Sequence, residues 1–172
     1  DDFHDRLRAR MDKLRIGDPL DKCIDVGAIV DPVQLAAIRA HVAGNRAGET
    51  FHSAAPLPES GCFYPPTLIT GLSPAAPLMQ EEIFGPVLGV LPVNGVDDAL
   101  RIAADTEYGL HATVFTRDID RALYLAHRLP CGTVSFGCLN DNWSATVHSV
   151  IHHADELGEK TCASAAAGTM IA

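Results

Sequence analysis

Basic clusters are missing from this sequence. Its 13 lysines and arginines are scattered among 22 acidic residues, which gives a formal net charge of -9. Such a chain is repelled by the phosphates of nucleic acid and by an anionic membrane surface, so small molecules or other proteins are the expected partners. Long apolar runs are missing too: none approaches the roughly 18 residues that a membrane-spanning helix requires. No signal-peptide pattern opens the chain. The five cysteines, Cys23, Cys62, Cys131, Cys138 and Cys162, contain no CxxC pair and leave an odd one over. Reduced thiols in a cytoplasmic protein are the reading that fits. There is no glycine-rich phosphate loop and no repeat of fixed period. Disorder is excluded as well, because 47% hydrophobic and 20% charged residues are enough to build a packed core.

What is present reads as alternating helices and strands. Phe3, Leu7, Met11 and Leu14 form the stripe of an amphipathic helix that Gly17–Asp18–Pro19 should stop. Asp31–Pro32 announces a second helix, with Asp31 as cap, Gln34 at the capping-box position, and Leu35, Ile38 and Val42 as its buried face. Residues 44–61 read as loop with one short strand. Strands are predicted at Thr67–Thr70, at Val87–Val93 as a run buried on both faces, at Ala112–Thr116 and at Thr133–Phe136. A helix from Asp97 or Asp98 should run to about Tyr108–Gly109. Asp118 should cap another with Ile119, Leu123, Ala126 and Leu129 on one face, ended by Pro130 and Gly132. This order predicts an α/β fold built on right-handed crossovers in one parallel sheet. Val147–Leu157 has a helical reading, and the last ten residues are too small and weakly patterned to anchor a core.

The segment Glu81–Val87, EEIFGPV, is the most informative stretch. On residue chemistry alone it is a surface turn entering a buried strand, with Gly85 and Pro86 making the turn. That reading leaves a bulky Phe84 after two acids unexplained. The segment resembles the signature of the aldehyde dehydrogenase superfamily nearly word for word, and other segments agree in order and spacing. Gly61–Thr67 (GCFYPPT) is similar to the family's glycine–aromatic–Pro–Thr strand start. Tyr108–Asp118 (YGLHATVFTRD) is similar to its YGLAA-x-VFT-x-D segment, Cys131–Val134 (CGTV) to its AGTV strand, and Lys13–Gly27 to the segment around its GDP. The run FYPPTLITGLSPAAP resembles family-16 members in particular.

The resemblance covers residues 1–138 and implies a truncated parallel-sheet catalytic domain, with residues 139–172 a divergent, poorly ordered tail. It also implies oxidation of an aldehyde to a carboxylic acid with NAD or NADP, through a cysteine nucleophile and a glutamate-activated water. Residue by residue, Glu82 matches the glutamate that accepts from the nicotinamide ribose hydroxyls, and Phe84 the aromatic beside the nicotinamide. Glu81 is left as a solvated acid or ion-pair partner. The nucleophile and the dinucleotide-binding domain are expected upstream of Asp1, so no catalytic residue is assigned to this chain. The intact family protein is expected to be a homo-oligomer.

The sequence departs from the family at several points. Ala103–Ala104–Asp105 lacks the family's Asn, and Gly137 stands where an Asn is usual. The downstream PFGG-x-K-x-SG segment is absent, as is the strand that joins a partner subunit. An apolar sheet face left uncovered should favour aggregation or partner binding. The alternative reading is a non-catalytic assembly or interaction module. A zinc site from His148, His152, His153 and Cys162 is disfavoured, because no acid lies between His148 and His152 and Cys162 sits in weakly patterned sequence.

Overall fold

The computed structural model describes residues 2–137 in full and 146–152 and 169–171 by their backbone. The chain divides into two units, one built mainly from residues 1–91 and the other from residues 92–167.

In the first unit, α1 (Asp2–Met11) forms as the stripe requires, with an Asp2–Arg6 pair on its outer side. It ends earlier than the stripe suggested. Leu14 lies in the closing turns, its N–H bonded to the Met11 carbonyl at 3.1 Å, and Phe3 at the opposite end is exposed. Met11 instead anchors the helix against Leu68 and Val90, with Leu7, Phe51 and Leu88 packed around them. Helix α2 (Pro32–Gly44) starts where its cap predicts: the Asp31 carboxylate accepts the Gln34 N–H at 2.7 Å, and Leu35, Ile38 and Val42 are buried. Replacing Asp31 by Ala should cost about 1 kcal/mol in urea denaturation, the usual loss on removing such a cap.

The sheet of this unit runs β1 (Glu49–His52), β2 (Thr67–Thr70), β3 (Val87–Leu91) and β7 (Thr169–Ile171), with β1 antiparallel and β3 parallel to β2. All four residues of β2 are buried. β3 ends at Leu91 rather than Val93, because Pro92 has no N–H to offer a ladder. The single turn α3 (Pro77–Gln80) lies on β3, and Gly89 makes room for it: a Cβ there would collide with the Met79 sulfur.

The second unit holds α4 (Val96–Ala104), β4 (His111–Phe115), α5 (Ile119–Ala126), β5 (Thr133–Gly137) and β6 (Thr146–His152). β4 and β5 pair in parallel across α5, and β6 returns antiparallel to β5. Leu100, Ala126, Leu129, Cys131 and Val134 form its core. Asp98 accepts the Asn94 N–H at 3.1 Å and pairs with Arg101 at 2.7 Å, and these bonds hold its carboxyl below the usual range.

Three sequence expectations are corrected. The α/β class holds, but the strands do not form one parallel sheet: β3 and β4 belong to different sheets. Of the face expected on α5, Ala126 and Leu129 are buried and are joined by Ala122, whereas Ile119 (68%) and Leu123 (41%) are exposed. Small residues on that face allow closer approach of helix to sheet than branched ones. Residues 146–152 are strand, not the start of a helix, since β-branched Thr146, Val147, Val150 and Ile151 suit pairing with β5. Of the last ten residues Thr169–Ile171 forms β7, and the expectation for the others lies outside the described residues.

Candidate functional site

The EEIFGPV segment joins α3 to β3 within the first unit. Its backbone is held at each step. The Glu81 N–H closes α3 on the Pro77 carbonyl at 2.8 Å, Gly85 donates to Ile83 at 2.7 Å, and Val87 donates to Gly85 at 2.8 Å. Two successive bonds of this short kind compress the chain before it extends into β3. The Pro86 carbonyl then accepts the Thr67 N–H at 2.8 Å, which fixes the turn to the start of β2.

Gly85 is needed for a reason the sequence did not reveal. It is not one of the glycines with positive φ, which are Gly61, Gly71 and Gly95. Its missing side chain is where Ile38 sits: a Cβ would lie 2.5 Å from the Ile38 Cδ1, and Ile38 is fully buried. Helix α2 therefore supports the turn from beneath through a residue distant in sequence.

The two acids differ. Glu81 is extended (φ -103°, ψ 145°). Glu81 approaches His41 of α2 at 3.6 Å and borders a surface cavity of about 490 Å³ that His41, Asn45, Arg46, Leu72 and Leu78 also line. It is thus an ion-pair partner whenever His41 is protonated, one of the two roles left open for it. Glu82 is half-buried and has no side-chain partner among the described residues. Phe84 is not a core aromatic: 60% of it is exposed. An open ring and a carboxylate without a partner among the described residues, two positions apart on a braced turn, suit a planar molecule that carries hydroxyl groups.

Behind the turn lies a polar group of residues that sequence reasoning passed over. Thr67 is fully buried, and its hydroxyl donates to the Pro65 carbonyl at 2.8 Å and meets the His52 Nδ1 at 2.8 Å. The His52 ring stands edge-on to Tyr64, 6.1 Å between centroids. Burial raises the Tyr64 phenol above its ordinary pKa, opposed by a hydrogen bond with Thr67 and the charge of Arg39. The only advance signal was the pair Pro65–Pro66, which leaves Thr67 as the first residue of that stretch with an N–H to give.

No metal-binding cluster of His, Cys, Asp or Glu occurs among the described residues. The disfavoured zinc set cannot be placed within them: His148 and His152 belong to β6, described by backbone alone, and His153 and Cys162 lie outside the described residues. No described helix is long and apolar enough to cross a membrane.

An α/β architecture with a braced, partly exposed turn defines a class, and comparison with known proteins gives that class a family. The sequence model of the aldehyde dehydrogenase family matches residues 1–149, past residue 138 where the motif resemblance stops. This chain belongs to the aldehyde dehydrogenase family. It is 34% identical to an aminoacetaldehyde dehydrogenase of Pseudomonas aeruginosa, an alignment covering 83% of this chain and 29% of that protein. It is 36% identical to a betaine aldehyde dehydrogenase of Mesorhizobium japonicum, covering 81% and 30% respectively. Among solved structures, betaine aldehyde dehydrogenase of Staphylococcus aureus in complex with NAD+ superposes with a TM-score of 0.72 at 28% identity, covering 81% of this chain and 29% of that one. An aldehyde dehydrogenase of Mycobacterium tuberculosis complexed with NAD+ gives 0.73 at 25% identity, over 81% and 30%. The chain thus spans about three-tenths of the length of the relatives it matches.

Proposed function

We propose that this chain is the cofactor-contacting part of the catalytic domain of an NAD(P)-dependent aldehyde dehydrogenase, and that alone it does not oxidise aldehydes. The observation that carries the proposal is a half-buried Glu82, without a side-chain partner among the described residues, beside an exposed Phe84 on a turn fixed from two sides. Glu82 accepts from adjacent ribose hydroxyls, and Phe84 packs beside the nicotinamide and limits its movement. NAD or NADP supplies the hydride acceptor when bound. Residues 1–138 make up the catalytic-domain part and residues 139–172 a divergent tail. The complete protein acts on an aldehyde, works in the cytoplasm and assembles as a homo-oligomer. The NAD+ complexes of its structural neighbours support the cofactor assignment.

The test is an amide NMR titration of the chain with NAD. Charge-assisted hydrogen bonds contribute about 1.5–3 kcal/mol and an aromatic contact about 0.5–1.5, so affinity should be no tighter than about millimolar. The signals of Glu82, Phe84 and Gly85 should move, and Glu82→Gln should weaken the effect several-fold. Shifts confined to other residues, or a Glu82→Gln variant that binds as well as the native chain, would refute the assignment.

A further inference from the structure

We infer that the Thr67 hydroxyl, held by His52 and Pro65, is a positioning group that aims the Gly85–Pro86 turn, and with it Glu82 and Phe84, at the dinucleotide. The inference rests on the cofactor reading above.

It starts from what the start of β2 can offer its neighbour. Pro65 and Pro66 have no N–H, and neither has Pro86 on the facing turn. The bond from the Thr67 N–H to the Pro86 carbonyl, 2.8 Å, is therefore the first backbone tie between the two segments. The ladder follows from it, with Thr67 opposite Val87 and Leu68 opposite Leu88. Whatever fixes the orientation of residue 67 fixes where the turn ends.

A fully buried strand position does not by itself call for a hydroxyl. Valine has the same shape and a higher preference for strands, and it needs no hydrogen-bond partner. A buried hydroxyl left unpaired costs about 1–3 kcal/mol, so it persists only where its bonds are made. Here they are made in a definite order. With the single hydroxyl proton on the Pro65 carbonyl, the Thr67 oxygen accepts from the His52 Nδ1–H, and its hydrogen bond with the Tyr64 phenol closes the same cluster. That assignment fixes the His52 tautomer and ties β1 to the start of β2 through side chains. A further bond, from the Ser53 N–H to the Pro66 carbonyl at 2.8 Å, holds the residue just before Thr67. Residue 67 is thus pinned from both flanks, and its N–H points at the turn. Thr67 touches neither substrate nor cofactor in this account and acts only through Pro86.

The decisive experiment compares Thr67→Val, Thr67→Ser and Glu82→Gln with the native chain, at a temperature where all remain folded. Two readouts are taken: the NAD dissociation constant from the amide titration, and hydrogen exchange at Gly85 and Val87. Thr67→Val should raise the dissociation constant about threefold to tenfold and speed exchange at both amides, and Thr67→Ser should restore both. A purely structural role would lower the melting temperature of Thr67→Val and leave binding by the folded fraction unchanged. That result, with Glu82→Gln weakened as expected, overturns this inference and leaves the cofactor reading standing. Undiminished binding by Glu82→Gln sinks both. If Thr67→Val does not fold, His52→Phe removes the same donor while keeping a ring beside Tyr64. It should weaken NAD binding in the same direction, and unaltered binding by His52→Phe counts against the clamp.

Discussion

Gly85→Ala should destabilise the chain by about 1–3 kcal/mol, the usual cost of forcing a methyl group into a filled core. The new Cβ would sit 2.5 Å from the Ile38 Cδ1 and 3.1 Å from its Cγ1. Ile38 has little room to turn aside, because it is fully buried on the inner face of α2. The strain therefore falls on the turn, and the NAD-dependent shifts of Glu82 and Phe84 should shrink with it. Gly44→Ala is the matched control: it lies at the end of α2 with nothing within 4 Å of its added Cβ, so it should be neutral or slightly stabilising. Urea denaturation of the two variants separates the outcomes. Equal midpoints would show that the space at Gly85 is not needed.

The second large effect concerns turnover. Mixed with NAD and an aldehyde, the chain alone should form NADH no faster than buffer does. Enzymes accelerate their reactions by about a millionfold or more, so even a small active fraction would be visible by absorbance. The described thiols are poorly placed for the task. Cys131 is packed in the core with Leu100 and Val134, Cys62 is half-buried, and Cys23 sits on the surface in a turn closed by the Asp21 carboxylate. Steady NADH formation that thiol alkylation abolishes would show that one of the five cysteines does serve as nucleophile.

Local chemistry was legible in the sequence wherever a few adjacent residues decide the outcome. The Asp31 cap and the Asp118 cap, which accepts the Arg121 N–H at 3.1 Å, both formed as their side chains dictate. Thr67–Thr70 is a strand residue for residue. What could not be read depends on partners far along the chain. Alternating strands and helices do not say whether β3 and β4 share a sheet, and they do not. Apolar spacing on α5 found Ala126 and Leu129, but it also admitted Ile119 and Leu123, which are exposed, and passed over the buried Ala122. At the candidate site Glu82 and Phe84 were legible only through resemblance. The reason for Gly85 lies in Ile38, and the role of Thr67 depends on His52, which no local pattern marks.

The different surroundings of Glu81 and Glu82 have a consequence for how this motif can drift over time. Identical neighbours in the text are thus expected to be under unrelated constraints. A change at Glu81 alters an exposed pairing with His41, worth little at the surface, so conservative replacements there should accumulate freely. Glu82 has no such latitude if a ribose depends on it. Among descendants of this gene, the first letter of the doublet is the one expected to vary, and the second the one expected to stay.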